Sequence, residues 1–359
     1  MKLFVYALTA LFFLSCQDQA KEASAASQTN TDAPKNVILL IGDGMGLSQL
    51  SSAQYYGEGT PNLEQFPVVG LIKTSSSAQL ITDSAAGATA FACGVKSYNG
   101  AIGVAGDSTA VANLPELLLE KNMVSGVVAT STITHATPAS FYAHQVSRNM
   151  HEAIAQDLAN SNLNYFAGGG LKYFNKRSDS LNLLSELTAK GFQLDTAKIP
   201  STLSDKMGVF VADNALPKAV EGRGDFLSQA SLQAVACLSQ NDQAFFLMIE
   251  GSQIDWGGHD NDADYLIGEM LDFDKTLGAV LEFAKNDGNT LVVVTADHET
   301  GGFTLGSNRG NYNSINPTFS TDGHSGTMIP VLAYGPGSEN FGGIYENSEI
   351  FHKIMSLLK

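Results

Sequence analysis

The chain has 359 residues, of which 36 are acidic and 20 are basic, so its formal net charge is −16. Such acidity argues against a nucleic-acid-binding protein, because a phosphate backbone is held by a basic face. The length is sufficient for one large domain or two small ones, and composition alone does not decide between them.

The first residues follow the pattern of an export signal. An apolar run over residues 3–14 is too short to span a bilayer, and a serine precedes Cys16. We expect residues 1–16 to be a lipoprotein-type signal peptide that ends at Cys16, with ordinary secretion as the alternative. The signal predicts an exported protein, periplasmic or attached to the outer membrane of a Gram-negative bacterium. A lipid on Cys16 would be its expected link to a membrane.

Residues 17–35 are rich in Ala, Ser and Gln and have no apolar periodicity. This composition predicts a disordered tether. With Cys16 assigned to the signal, Cys93 and Cys237 remain. A disulfide between them and two buried free thiols are both open at this point, and the absence of a CxxC pair argues against a thiolate metal site.

From residue 36 onward, short β-rich apolar runs alternate with longer helical patterns. The predicted strands are 36–41, 70–74, 124–131, 244–249, 290–295 and 329–334, and the predicted helices are 114–121, 150–159, 181–190, 226–238, 263–285 and 348–358. This alternation predicts one α/β domain over residues 36–359, with a doubly wound, mostly parallel central sheet flanked by helices. Residues 160–225 are less regular and are expected to form a small cap or an edge insertion.

Polar side chains cluster where four of the predicted strands end. In open α/β sheets, ligands bind just beyond the carboxyl ends of the strands. We therefore expect one functional site at this edge of the sheet. The residues that follow these four strands are Asp43; His135 and Thr137; Glu250, Asp255 and His259; and Asp297 and His298.

Three groups have the composition of metal ligands. Asp255 and His259 are four residues apart, Asp297 and His298 are adjacent, and His324 precedes the last predicted strand. Asp and His ligands without Cys are typical of catalytic zinc sites. A single Asp–His pair is more often an ordinary hydrogen-bonded pair, but three such groups beside a Gly-Asp-Gly-Met-Gly turn favour a metal centre. Three other histidines are expected to be structural or surface residues: His144, His151 and His352.

Residues 82–90, Thr-Asp-Ser-Ala-Ala-Gly-Ala-Thr-Ala, have the pattern of a helix start with Asp83 or Ser84 as the N-cap. Backbone N–H groups and the helix dipole favour anions at such a position. Ser84 is therefore a candidate nucleophile whose phosphorylated form would be stabilised there. Arg148 is a candidate phosphate ligand, because a planar guanidinium fits a phosphate better than an ammonium does.

Seven sequence motifs follow one another along the chain: IGDGMG, TDSAAGATA, GVKSYNGAIGV, THATPASFYAH, IEGSQIDWGGH, VTADHETGGF and GHSGTMIPVLAYGPG. From about residue 36 to the C-terminus, they resemble the motifs of alkaline phosphatases. His135 and Trp256 stand where the best-known bacterial pattern has Asp and Lys, and this combination is similar to some marine bacterial members. The resemblance implies a zinc- and magnesium-dependent enzyme with an alkaline-phosphatase-like fold.

The resemblance also implies a role for each matching position. Ser84 is implied as the nucleophile, Arg148 as the phosphate clamp, and Asp83 as the carboxylate that orients Arg148. Trp256 and His135 are expected to contact the substrate, and His135 opens the third metal site to Zn²⁺ in place of Mg²⁺. The implied metal ligands are Asp255, His259 and His324 for a first Zn²⁺; Asp43, Ser84, Asp297 and His298 for a second; and Asp43, Thr137 and Glu250 for Mg²⁺.

These roles imply hydrolysis of phosphate monoesters to an alcohol and inorganic phosphate, by a two-zinc mechanism through a phosphoserine intermediate. A site that grips mainly the phosphate implies a broad substrate range, and the family implies an alkaline pH optimum. The metals and Arg148 would also explain how an acidic protein binds an anion. The expected partners are small-molecule phosphate monoesters, and a homodimer is a further expectation.

Two rival functions remain at this stage. The first is another hydrolase of the same superfamily, although Ser84 lacks the C/S-x-P-x-R context of a sulfatase and phosphodiesterases usually have Thr as the nucleophile. The second is a phosphate-binding lipoprotein without catalysis, which would need neither zinc ligands nor Ser84.

Overall fold

The computed structural model describes residues 33–358, except for the side chain of residue 241. The predicted signal peptide, Cys16 and most of the predicted tether therefore lie outside the described residues. Pro34 is buried and the Lys35 N–H donates to the Asn289 carbonyl, so backbone contacts with the fold begin at the end of the predicted tether. No helix within residues 33–358 is both long and apolar enough to cross a membrane.

The described residues contain fourteen strands. In chain order they are β1 (Asn36–Gly42), β2 (Val68–Lys73), β3 (Val124–Thr132), β4 (Tyr165–Gly169), β5 (Gln193–Asp195), β6 (Met207–Phe210), β7 (Phe245–Gly251), β8 (Thr290–Thr295), β9 (Glu299–Thr300), β10 (Thr304–Asn308), β11 (Asn311–Thr318), β12 (His324–Ser325), β13 (Ile329–Tyr334) and β14 (Gly343–Glu346).

Eleven α-helices lie between these strands in the same part of the chain. They are α1 (Leu47–Tyr56), α2 (Ser84–Cys93), α3 (Leu114–Leu119), α4 (Ala136–Ala139), α5 (His151–Asn160), α6 (Lys172–Asn175), α7 (Leu183–Ala189), α8 (Phe226–Leu238), α9 (Gln253–His259), α10 (Ala263–Asp287) and α11 (Glu349–Leu357). Short 3₁₀ helices cover Asn62–Gln65, Ala219–Glu221, Gln240–Asp242 and Ser338–Phe341.

Ten strands form one sheet in the order β14-β2-β13-β8-β1-β7-β3-β4-β6-β5. Nine of these ten run in the same direction, and β13 is antiparallel to both of its neighbours, β2 and β8. The central strands β1, β7 and β8 are buried along their whole length and mostly apolar, as expected where helices cover both faces of a sheet. The predicted mostly parallel α/β fold is therefore confirmed.

The direction of the strands determines which residues meet. β1, β3, β7 and β8 all end at one edge of the sheet, so the residues that follow them lie close together. Because β13 runs in the opposite direction, it begins at this same edge. The segment that precedes β13, which carries His324, therefore reaches the edge where the other strands end.

Residues 160–225 form an edge of the large sheet rather than a cap. β4, β6 and β5 extend the sheet beyond β3 as three further parallel strands. They are five, four and three residues long, which is too short for periodicity to reveal them. Aromatic rings pack against one another at this edge in tilted pairs, including Phe166 with Phe210 and Phe174 with Phe210.

Cys93 and Cys237 are both free and buried. Burial raises the pKa of the Cys93 thiol to about 12 and that of the Cys237 thiol to about 11. Both side chains therefore remain neutral thiols at physiological pH. Of the two alternatives left open by the sequence, the structure has two buried free thiols.

Candidate active site

Three clusters of carboxylate and imidazole groups within the described residues could each hold a cation. In each cluster, the candidate ligand atoms lie within 4.8 Å of one another. All three lie at the sheet edge where the parallel strands end, as the sequence predicted. The first cluster is Asp255, His259 and His324; the second is Asp43, Asp297 and His298; the third is Asp43, His135 and Glu250.

The first cluster joins α9 to the segment before β13. His259 Nδ1 lies 2.6 Å from the Asp322 carbonyl oxygen, and His324 Nδ1 lies 2.9 Å from the Thr82 carbonyl oxygen. Because a carbonyl oxygen only accepts, each ring carries its proton on Nδ1. The two Nε2 lone pairs then face each other at 3.2 Å, a contact that is repulsive unless a cation lies between them.

Asp255 supplies the negative charge of the first cluster. Its Oδ1 lies 3.3 Å from His259 Nε2 and 3.6 Å from His324 Nε2. Asp255 is buried, whereas His259 is exposed, so the cluster opens to solvent on one side. One carboxylate, two imidazoles and an open side form a donor set typical of catalytic zinc.

The second cluster is fully buried. Burial raises the pKa of Asp43 well above its ordinary value, and the charge of Asp297 raises it further. Burial also raises the pKa of Asp297 and lowers the pKa of His298 well below its ordinary value. Asp43 Oδ2 and Asp297 Oδ2 have no hydrogen-bond partner. Two buried carboxylates this close together are costly unless a cation compensates them.

The third cluster adds Glu250 to Asp43. Ser252 and Ser131 donate to Glu250 Oε2, at 2.5 and 3.2 Å, whereas Glu250 Oε1 is buried without a partner. Burial raises the pKa of Glu250 to about 7, although the hydrogen bond from Ser252 opposes the shift. Thr137 lies in α4, shortly after β3, and its buried hydroxyl oxygen, like Glu250 Oε1, has no hydrogen-bond partner. These oxygens suit a hard cation such as Mg²⁺.

His135 belongs to the third cluster and is also hydrogen-bonded to Arg148. Arg148 Nη2 lies 3.1 Å from His135 Nε2, and a guanidinium can only donate, so Nε2 accepts. Burial, then the charge of Arg148, lowers the pKa of His135 well below its ordinary value, so the ring is neutral with its proton on Nδ1. Zinc binding through Nδ1 would move that proton to Nε2 and break the bond to Arg148. The ring of Trp256 meets His135 edge-on, 5.9 Å away.

Ser84 lies at the second cluster, at the start of α2. Its Oγ is 3.4 Å from Asp43 Oδ1 and 3.2 Å from His298 Nε2. Every residue of α2 is buried, so the small side chains of this helix pack tightly and hold Ser84 in place. The N-cap is Asp83, whose side chain accepts from the Ala86 N–H at 3.0 Å.

Asp83 also holds Arg148 beside Ser84. Asp83 Oδ2 accepts from Arg148 Nη1 at 3.0 Å and from the Gly100 N–H at 2.9 Å. The Arg148 N–H in turn donates to the Gly100 carbonyl at 2.7 Å. The structure thus brings together the predicted nucleophile, the predicted phosphate clamp and the carboxylate predicted to orient that clamp.

The side chains that hold the candidate ligands in place were not predicted from the sequence. Ser131 and Ser252 bond to Glu250, and Thr300 contacts both Asp255 and His298. Strand periodicity did not indicate Ser252 or Thr300, because Ser252 lies just after the end of β7 and His298 lies just before the start of β9.

The three histidines expected to be structural make contacts outside the metal clusters. His144 bonds to the Gly103 carbonyl and to Glu116, His151 stacks on Tyr173, and His352 bonds to the Gly94 carbonyl.

A site of this kind belongs to the metal-dependent hydrolases. Within that class, the sequence profile described as alkaline phosphatase matches residues 34–317. The chain is 34% identical over 430 aligned positions to alkaline phosphatase 3 of Bacillus subtilis, covering 94% of this chain and 92% of that relative. The chain therefore belongs to the alkaline phosphatase family, and it hydrolyses phosphate monoesters. This activity removes the non-catalytic binding protein from the rival functions.

Solved structures agree with this assignment. The alkaline phosphatase of the Antarctic bacterium TAB5 superposes with a TM-score of 0.90 at 57% identity, covering 92% of this chain and 99% of that one. A TAB5 variant with aspartate in place of a histidine, which has Mg bound in a site named M3, superposes with a TM-score of 0.89 at 56% identity and the same coverage.

Proposed function

We propose that the chain hydrolyses phosphate monoesters through a phosphoserine intermediate on Ser84, with two Zn²⁺ and one Mg²⁺ as cofactors. The position of Ser84 Oγ carries this proposal, because it lies 3.2 Å from His298 Nε2 and 3.4 Å from Asp43 Oδ1. A serine hydroxyl that lies beside two candidate ligands of one cation can be activated as a nucleophile by that cation. The imidazole-containing first and second clusters suit Zn²⁺, and the oxygens of Asp43, Thr137 and Glu250 suit Mg²⁺.

When bound, the two zinc ions would supply the positive charge that stabilises the Ser84 alkoxide and the leaving oxygen of the alcohol. Ser84 Oγ forms a bond to phosphorus while the bond from phosphorus to the alcohol oxygen breaks. Arg148 donates to two phosphate oxygens, held in place by Asp83. The positive N-terminal end of α2, where Ser84 lies, favours the negative charge of the phosphoserine. Water then attacks phosphorus, the O–P bond to Ser84 breaks, and inorganic phosphate leaves.

We propose that the third cluster binds Mg²⁺ weakly. The neutral ring of His135 brings no negative charge, and it presents an N–H where an aspartate would present oxygen. The TAB5 variant supports this proposal, since that protein has Mg bound in its M3 site after a histidine is replaced by aspartate.

Five further proposals concern the setting of the reaction. A broad substrate range is proposed because Ser84 and Arg148 address the phosphate rather than the alcohol. An alkaline optimum is proposed because Ser84 must lose its proton and the carboxylates of the clusters must be ionised. Residues 36–359 are proposed as the catalytic domain. We also propose export through residues 1–16 with acylation of Cys16, and assembly into a homodimer. Palmitate labelling tests the acylation, and sedimentation tests the homodimer.

The phosphoserine route is tested by Ser84→Ala. We expect turnover of p-nitrophenyl phosphate to fall by ~10³-fold or more, with fold and zinc content unchanged, since only the nucleophilic oxygen is removed. Acid quenching of the wild type during turnover should trap phosphate on Ser84, detectable by mass spectrometry. Ser228→Ala is a matched control, because Ser228 is another buried serine in the first turn of a helix, remote from the clusters. Near-normal turnover in Ser84→Ala, or no trapped phosphate, would refute the route.

A further inference from the structure

Thr300 touches the first two clusters without belonging to either. Its buried Oγ1 lies 2.5 Å from Asp255 Oδ1, in the first cluster, and 3.2 Å from His298 Nδ1, in the second. A threonine hydroxyl has one proton to donate, and an ionised carboxylate can only accept. Thr300 therefore donates its proton to Asp255 and accepts the Nδ1 proton of His298.

This direction of donation determines the tautomer of His298. With its proton on Nδ1, the ring directs the Nε2 lone pair at the second cluster, where Ser84 Oγ is 3.2 Å away and Asp43 Oδ1 is 3.6 Å away. The same hydroxyl orients the Asp255 carboxylate that serves the first cluster. One side chain thus fixes a ligand in each of two clusters.

The backbone and packing of Thr300 hold this hydroxyl in place. The Thr300 N–H donates to the Gly44 carbonyl, and its own carbonyl accepts from Gln49 Nε2 at 2.8 Å. A Cβ on Gly44 would lie 2.8 Å from Thr300 Oγ1, and a Cβ on Gly258 would lie 2.9 Å from Thr300 Cγ2. The two glycines therefore leave the space that the threonine side chain fills, and its rotamer is set before any metal binds.

We propose that Thr300 is a positioning residue that couples metal binding at the first and second clusters. This inference rests on the proposed two-zinc function. A cation on His298 Nε2 draws electron density from the ring, so Nδ1–H becomes a stronger donor to Thr300, and Thr300 a stronger donor to Asp255. Occupation of the second cluster thereby fixes Asp255 for the first. Because such coupling is reciprocal, each cation strengthens the binding of the other.

The test compares Thr300→Val, which keeps the shape but has no hydroxyl, with Thr300→Ser, which keeps the hydroxyl. Metal-free protein is titrated with Zn²⁺ against a chromophoric chelator, and with Co²⁺, whose visible absorption reports ligand geometry. We expect Thr300→Val to bind zinc about 10–100-fold more weakly, as is usual when a partner of a metal ligand is removed. It should also lose cooperativity between the two binding steps and change the Co²⁺ spectrum. Thr300→Ser should retain all three properties.

Thr295→Val is the matched control, because it removes a buried hydroxyl that bonds to the Pro330 carbonyl in the same part of the sheet. Its zinc affinity and cooperativity should equal those of the wild type. Wild-type binding by Thr300→Val would overturn the inference. A Thr300→Val chain whose metal-free form does not fold, by circular dichroism, would also overturn it by making Thr300 a determinant of the fold. A wild type that binds fewer than two zinc ions would instead refute the two-zinc function itself.

Discussion

Removal of the metals should leave Glu250 with a contribution to stability that is lost as the pH rises through neutrality. Glu250 is fully buried, and in the metal-free protein burial raises its pKa from 4.5 to about 7. Between these two values, the native protein holds a proton that the unfolded chain has lost. The free energy of unfolding therefore decreases as the pH rises through this interval.

The pKa shift sets the size of the effect. It corresponds to ~3 kcal/mol in total, of which ~1 kcal/mol is lost between pH 6.5 and 8. Asp43 and Asp297 act in the same direction, because burial raises their pKa values as well. His135 and His298 act in the opposite direction, because burial lowers their pKa values. Their unfolded imidazoles are still half protonated at pH 6.5, so together they add back about 0.8 kcal/mol between pH 6.5 and 8. The loss that belongs to Glu250 is therefore isolated by removing its charge.

Urea denaturation of chelator-treated protein between pH 6.5 and 8 measures this loss. We expect the change in stability over this range to differ by ~1 kcal/mol between the wild type and Glu250→Gln, whose side chain has the same shape without the charge, with the wild type losing more. The metal-loaded protein is the reference, because it shares other titrations, such as that of His144, whose pKa is raised by its bond to Glu116. A pH dependence between 6.5 and 8 that is equal in the metal-free wild type and in metal-free Glu250→Gln would refute the reasoning.

Two further variants test the phosphate side of the site. Asp83→Ala removes the N-cap of α2 and releases Arg148, so we expect ~1 kcal/mol lower stability in urea, and a KM for p-nitrophenyl phosphate about tenfold higher, the value of one charge-assisted hydrogen bond. The double variant His135→Asp, Trp256→Lys should bind Mg²⁺ and inorganic phosphate more tightly by calorimetry and turn over more slowly at saturation, because it adds a hard oxygen ligand and a cation.

Each of these two predictions has an outcome that would contradict it. Asp225→Ala is the control for Asp83→Ala, because Asp225 precedes α8 without capping it through its side chain. An unchanged KM in Asp83→Ala would show that Asp83 does not position Arg148. If the double variant keeps the magnesium dependence and phosphate inhibition of the wild type, His135 and Trp256 do not tune the third cluster.

The central fold was predictable because buried parallel strands are continuous apolar runs. The predicted ranges 290–295 and 329–334 coincide with β8 and β13. The short strands β4, β5 and β6 were not predicted, since three to five residues carry no measurable period. α9 was also missed, because its two glycines disfavour a helix in isolation and its packing against α10 stabilises it.

The residue types of the candidate site could be predicted from the sequence, but the histidine tautomers and hydrogen bonds of the site could not. Asp and His at strand ends indicated metal ligands, and the family motifs assigned them to sites. The sequence carries no information on which imidazole nitrogen is free. That property depends on carbonyl and hydroxyl groups far away in the chain, such as the Thr82 carbonyl beside His324. The bond of His135 to Arg148, which conflicts with zinc binding through His135, depends on the fold in the same way.

The pairing of β9 with β12 also bears on how this enzyme can be altered. These two short strands pair Thr300 with His324 and Glu299 with Ser325, so they fasten both ends of the segment 301–323. That segment contains the largely exposed hairpin β10–β11. Its length can therefore change without displacing His298 on one side or His324 on the other. Evolution or an engineer could graft a recognition element there, next to the metals, while the catalytic geometry is kept.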